Sequence, residues 1–214
     1  MSRLTKKITK MILFRFPYLR ILSQGLLRSA KPLTNVKDLD GFSSYCSKLV
    51  NPDRRDTVSV DLGCGPKPRN PFNASEILGC DLYEDSSRGI YKCNLGFDLL
   101  PFKSDSIDYI TAFDLIEHIP RHAGTNETPF ISLINEVFRV LRSGGIFFSV
   151  TPCYPFKEAF QDPTHNNIIT VDTFPNYFSS DSGLSISQHY GVTAKFEIYE
   201  QRIWGSHLVA VLRK

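Results

Sequence analysis

Two short runs have residue types and spacing suited to cradling a small polar ligand. Asp61-Leu62-Gly63-Cys64-Gly65 follows an apolar stretch, Thr57 to Leu62, that reads as a buried strand. Glycines at 63 and 65 let a ligand approach the backbone closely at the strand end. Sixteen positions beyond Gly65, Gly79-Cys80-Asp81-Leu82 ends a second strand, Ile77 to Asp81, on an acid. A carboxylate placed there accepts hydrogen bonds from both hydroxyls of a ribose. Asp61 is suited to bracing the loop. A dinucleotide loop needs a third glycine at position 68 to pack its helix, and this chain has Pro66 and Pro68. The Gly-Lys-Ser/Thr ending of a phosphate-binding loop is also absent.

The elements around these runs follow an α/β rhythm, with short apolar runs alternating with helical ones from residue 57 onward. Ser106 to Phe113 reads as a further strand. Phe130 to Leu141 has apolar residues at 130, 133, 134, 137, 138 and 141, the stripe of a helix. Gly144 and Gly145 are placed to cap it in the left-handed conformation. Ile146 to Val150 reads as a core strand, and Ala194–Gln201 with His207–Leu212 as an antiparallel hairpin turning at Trp204-Gly205-Ser206. The stretch from about 153 to 192 breaks this rhythm. It is rich in aromatics and prolines and lies where substrate contacts gather.

Composition bounds the rest. The 214 residues suffice for one sizeable core, expected over 38–214, and 42% apolar with 22% charged residues is ordinary for a globular domain. Five cysteines without a C-x-x-C pair suggest neither a disulfide framework nor a zinc ribbon, and a reducing, cytoplasmic setting fits them. No apolar run approaches the roughly 18 residues of a membrane span. Residues 1–37 carry nine basic and no acidic side chains, while the remaining 16 basic and 22 acidic residues leave −6. With Leu4, Ile8, Met11, Ile12, Leu22 and Leu26 at roughly helical spacing and a break at Pro17, this segment suits two roles. It can cap the domain with its lysines in water, or residues 1–31 can make peripheral contact with an anionic membrane.

Taken together, Asp61-Leu-Gly-Cys-Gly-Pro66, Gly79-Cys-Asp81, Leu100-Pro-Phe-Lys-Ser-Asp-Ser-Ile-Asp108, Asp114-Leu-Ile-Glu-His118 and Glu136-Val-Phe-Arg-Val-Leu-Arg-Ser-Gly-Gly145 resemble the ordered motifs of class I methyltransferases dependent on S-adenosylmethionine (SAM), close to the type 11 group. The resemblance spans about residues 57 to 152. It implies a Rossmann-like fold, with a mostly parallel seven-stranded sheet, helices on both faces and a C-terminal antiparallel hairpin. It also implies a SAM site at Asp61, Gly63, Cys64, Gly65, Asp81, Leu82, Asn94, Leu95, Phe113 and Asp114. In it Asp61 faces the methionine end, Asp81 the ribose, and Asn94 with Leu95 the adenine. Asn94 stands where many relatives carry aspartate. About ten residues, three of them proline, separate Gly65 from the second strand, so the family's first helix cannot be full length. That short connection and Phe160-Gln-Asp-Pro-Thr-His165 with Thr170 and Phe174 resemble members tied to glycan and surface-polysaccharide pathways.

Methyl transfer from a sulfonium is an in-line displacement, and a base is needed only where the acceptor loses a proton. His118 and His165 are the candidate bases, with Asp162 placed to orient His165. Glu117, Asp162 and the two histidines are all acceptable divalent-metal ligands, but their spacing is not diagnostic and no metal is expected. Tyr154 and Phe156 suit the wall of an acceptor pocket. The Asn/Asp-Pro-Pro-Tyr/Phe run of base-amino methyltransferases is missing, as is any RNA-binding module, so no nucleic-acid partner is expected. The expected acceptor is a small molecule, saccharide or lipid-linked glycan, methylated on oxygen. The alternative is an inactive SAM-binding scaffold that acts through its basic segment.

Overall fold

The computed structural model describes residues 39–50, 52–124, 127–180 and 186–214. The basic segment 1–37 lies outside them. In chain order the elements are α1 (Leu39–Cys46), β1 (Val58–Leu62), β2 (Glu76–Asp81), β3 (Ile90–Lys92), β4 (Ile107–Phe113), α2 (Pro129–Val140), β5 (Leu141–Pro152), α3 (Thr173–Tyr177), α4 (Ile186–His189), β6 (Glu197–Trp204) and β7 (His207–Arg213). They form one seven-stranded sheet in the order β3-β2-β1-β4-β5-β7-β6. The first five strands are parallel, and β7 runs antiparallel between β5 and β6. After β3 the chain returns to place β4 beside β1. The topological switch therefore falls between β1 and β4, where α/β sheets bind ligands at the carboxyl ends of their strands.

The central strands are covered on both faces, which is why they read as continuous apolar runs. Every residue of β4 is buried. Ile110 and Phe147 belong to a core shared with Leu133, Ile134 and Val137 of α2. Tyr109 and Phe148 join Phe42 and Cys46 of α1 on the other face. No helix separates Gly65 from β2, as the three prolines require. Phe72 fills the space instead, stacked on Tyr109 with ring centroids 4.3 Å apart and planes within 6°. Truncating this buried ring leaves a cavity in the core that Phe72 shares with Tyr109, Phe148 and Phe42 of α1. Phe72→Ala should cost about 3–5 kcal/mol, read as a fall in the urea midpoint; a loss below about 1 kcal/mol would show the ring to be dispensable.

One expected boundary differs. The α2 helix is not capped by glycine. Leu141 is already extended at the helix end and pairs with Ile107, so the chain passes directly into β5. Leu141 is fully buried, and Arg142 reaches Asp108 of β4 at 2.7 Å, which pins the chain to the sheet before the glycines arrive. Gly144, at φ +76°, lies inside β5 where its pairing with β4 shifts register between Leu141 and Ile146, and its N–H donates to the carbonyl of Lys214. The five cysteines are free and buried. Among the described residues no helix is long and apolar enough to cross a membrane.

Candidate functional site

The loop after β1 is held from below and from the side. Gly63 and Gly65 adopt φ of +61° and +59°, which glycine reaches without strain. The Gly63 N–H donates to the Cys80 carbonyl, which extends the β1–β2 ladder by one bond. Beneath the loop Asp61 accepts from the Thr111 hydroxyl at 2.7 Å and from the Arg69 N–H and Nε at 2.9 and 2.8 Å. Arg69 also lies 4.5 Å over the Phe113 ring. Burial pushes the Asp61 carboxyl above its usual range, against the pull of the Arg69 charge and its hydrogen bonds. Asp61 thus holds Arg69 under the loop, Arg69 in turn donates to the Gly63 carbonyl at 3.3 Å, and Asp61 is not on the wall of the cleft.

Asp81 is at the strand end with one donor on each oxygen: Gly65 N–H at 2.8 Å and Leu82 N–H at 2.7 Å. Each carboxylate oxygen retains a lone pair for a further donor. In front of it opens a cleft of about 320 Å³ lined by Gly63, Asp81, Leu82, Asn94 and Leu95, and on the far side by Phe97, Leu115 and His118. Leu82 is 68% and Phe97 47% exposed, apolar surface that a flat ligand would cover. Asn94 starts the turn that presents Phe97: its carbonyl accepts from the N–H groups of 97 and 98, and its own N–H donates to Asp98.

Besides Asp61, four residues of the expected cofactor set lie off this cleft. Cys64 is buried behind the loop, where a Cβ at Gly79 would stand 2.5 Å from its sulfur, and burial raises its thiol to about 11. Gly65 serves through its backbone alone. Phe113 points to the opposite face of the sheet, against Phe42 and Phe148, because strand alternation sends it there. Asp114, at φ +48°, turns its carboxylate to within 3.1 Å of His207 Nε2 at the hairpin tip.

The candidate catalytic residues come together. The Glu117 carbonyl accepts from the N–H groups of both Asn166 and Asn167, which docks the loop after β5 onto the segment after β4. The His118 and His165 rings consequently meet edge to face with centroids 4.9 Å apart. Asp162 is more distant: its nearest approach to His165 is 3.9 Å, and its other oxygen accepts from the Thr164 N–H and hydroxyl, which hold its carboxyl below the usual range. Glu117 is buried beside the histidines. One oxygen accepts from Thr151 at 2.7 Å, the other has no hydrogen-bond partner, and burial pushes the carboxyl up to about 7. Tyr154 is half exposed against Phe160, and Phe156 packs on the core.

Residues 60–149 match the family model described as a methyltransferase domain. The chain matches a methyltransferase domain over 90 of its 214 residues. Its fold is shared with a SAM-dependent methyltransferase from Archaeoglobus fulgidus, at 13% identity and TM-score 0.52, over 83% of this chain and 95% of that one. Geranyl diphosphate C-methyltransferase from Streptomyces coelicolor, solved with S-adenosylhomocysteine, is similar at 13% identity and TM-score 0.53 over 81% and 75% of the two chains. The [4+2]-cyclase SpnF is similar at 14% identity and TM-score 0.53 over 82% and 80%, so the fold alone does not fix the reaction. No curated protein matches in sequence.

Several residues of this site escape a reading of the sequence. Arg69 sits in a proline-bearing loop without periodicity, and its partner Asp61 becomes visible only when the loop folds back. Phe97 and Leu115 read as ordinary apolar residues. Gly96, at φ +89° with its would-be Cβ 2.7 Å from the Pro129 carbonyl, marks the turn that exposes Phe97. His207 had a weak signal as the first residue after the hairpin turn.

Proposed function

We propose that this methyltransferase transfers a methyl group from SAM to a hydroxyl oxygen of a saccharide, lipid-linked glycan or other small metabolite. The observation that carries this reading is the group Glu117, His118 and His165, with His118 itself on the wall of the cleft. A hydroxyl must lose a proton as it is methylated, whereas a thioether or tertiary amine need not. Polar side chains able to promote that loss stand beside the cleft. The cofactor reading places the ribose hydroxyls on Asp81 and the adenine between Leu82, Leu95 and Phe97, which leaves the reactive methyl toward the segment after β4. Glycan chemistry draws its support from the aromatic and polar stretch around residues 160–174, which meets His118 through Thr164 and Asn166.

The full chain, incubated with methyl-labelled SAM and panels of saccharides, lipid-linked saccharides and small hydroxylated metabolites, should yield a methoxy product identifiable by mass spectrometry. Label found only on nitrogen or carbon, or only in nucleic acid, would overturn the assignment.

A further inference from the structure

The Glu117, His118 and His165 cluster is better built for holding a cation than for free acid–base work. A carboxylate oxygen of Glu117 and one ring nitrogen from each histidine all lie within 4.8 Å of one another. Two ligands each about 2.2 Å from a common ion are at most about 4.4 Å apart, so small side-chain rotations complete the set. Glu117 supplies the second observation. It is 1% exposed, yet its Oε1 has no hydrogen-bond partner while Oε2 is taken by Thr151. A buried carboxylate oxygen without a donor is costly, and a cation would supply what the fold withholds.

The outer contacts point the same way. His118 Nδ1 lies 3.3 Å from the Thr164 carbonyl and 3.1 Å from its hydroxyl, which itself donates to Asp162. His165 Nδ1 lies 3.3 Å from the Ala159 carbonyl. With each Nδ1–H donating to these oxygens, each Nε2 carries the lone pair a metal requires, the arrangement usual for metal-bound histidines.

We infer that Glu117, His118 and His165 form a three-ligand site for a divalent first-row transition ion. Two imidazoles and one carboxylate select Mn²⁺, Fe²⁺, Co²⁺ or Zn²⁺ over Mg²⁺ or Ca²⁺, and three protein ligands leave positions open for an exogenous oxygen. The binding site stands on ligand geometry alone; its part in transfer rests on the methyl-transfer reading above. There the ion would bind the acceptor hydroxyl and lower its pKa. The O–H proton leaves to water, the oxygen's electron pair forms the new C–O bond, and the C–S bond breaks with its pair staying on sulfur.

The test needs no acceptor. Full-length protein stripped with a chelator should bind one equivalent of Zn²⁺ or Mn²⁺ in calorimetry, and Co²⁺ should give visible absorption bands typical of nitrogen ligation. Glu117→Gln and His165→Gln should each weaken that binding by about 100-fold, since even outer contacts to a metal site are worth 10–100-fold. His122→Gln should leave it unchanged, and thermal unfolding of each variant checks the fold. Should Glu117→Gln not fold, His165→Gln decides alone. Failure to bind an equivalent of any of these ions, or equal binding by wild type and His165→Gln, would overturn the site. Neither result touches methyl transfer, which is measured separately.

Discussion

Asp61→Ala should destabilise the domain by about 3–5 kcal/mol, the cost of removing one member of a buried ion pair. The substitution strips the acceptor from the Arg69 guanidinium, the Arg69 N–H and the Thr111 hydroxyl together. Arg69 keeps only 21% side-chain exposure, so water cannot fully replace the carboxylate. For a domain of this size each kcal/mol lowers the melting temperature by about 2–4 °C, so the loss should be about 10 °C. Combining Asp61→Ala with Arg69→Met should recover part of it, because no partly buried charge is then left unpaired. An Asp61→Ala protein as stable as wild type would show that the loop does not depend on this pair.

Asp81→Ala should have the largest effect on ligand binding while leaving the fold intact. Charge-assisted hydrogen bonds are worth about 1.5–3 kcal/mol each, so losing two ribose contacts should weaken S-adenosylhomocysteine by about 100-fold or more in calorimetry. The Gly65 and Leu82 amides that Asp81 now holds lie at the cleft rim, where water can serve them. Asp81→Asn should fall between, since one amide oxygen remains as acceptor. Equal binding by wild type and Asp81→Ala would remove the ribose from this carboxylate.

The sheet was legible in the sequence because its signals are local. Buried strands such as Ile107–Phe113 read as apolar runs, and Trp204-Gly205-Ser206 announces the hairpin without reference to the rest of the chain. Asp81 followed from its place at a strand end and Leu82, Asn94 and Leu95 from the family resemblance, and all four line the cleft. Phe113 and Asp114 show where that approach stops. Both close the right strand, yet alternation turns Phe113 away from the cleft, and a positive φ aims Asp114 at His207, 93 positions on. The meeting of Glu117 and His118 with His165 was equally out of reach. It depends on two backbone amides of a loop without periodicity finding one carbonyl, and spacing in sequence carries no trace of that.

The reading of this chain as a working enzyme is tested most directly by turnover. The full-length protein, given methyl-labelled SAM and a polar and lipid extract of small molecules, should accumulate S-adenosylhomocysteine in step with label entering an acceptor. Binding of S-adenosylhomocysteine with no label leaving the cofactor in any fraction would contradict it.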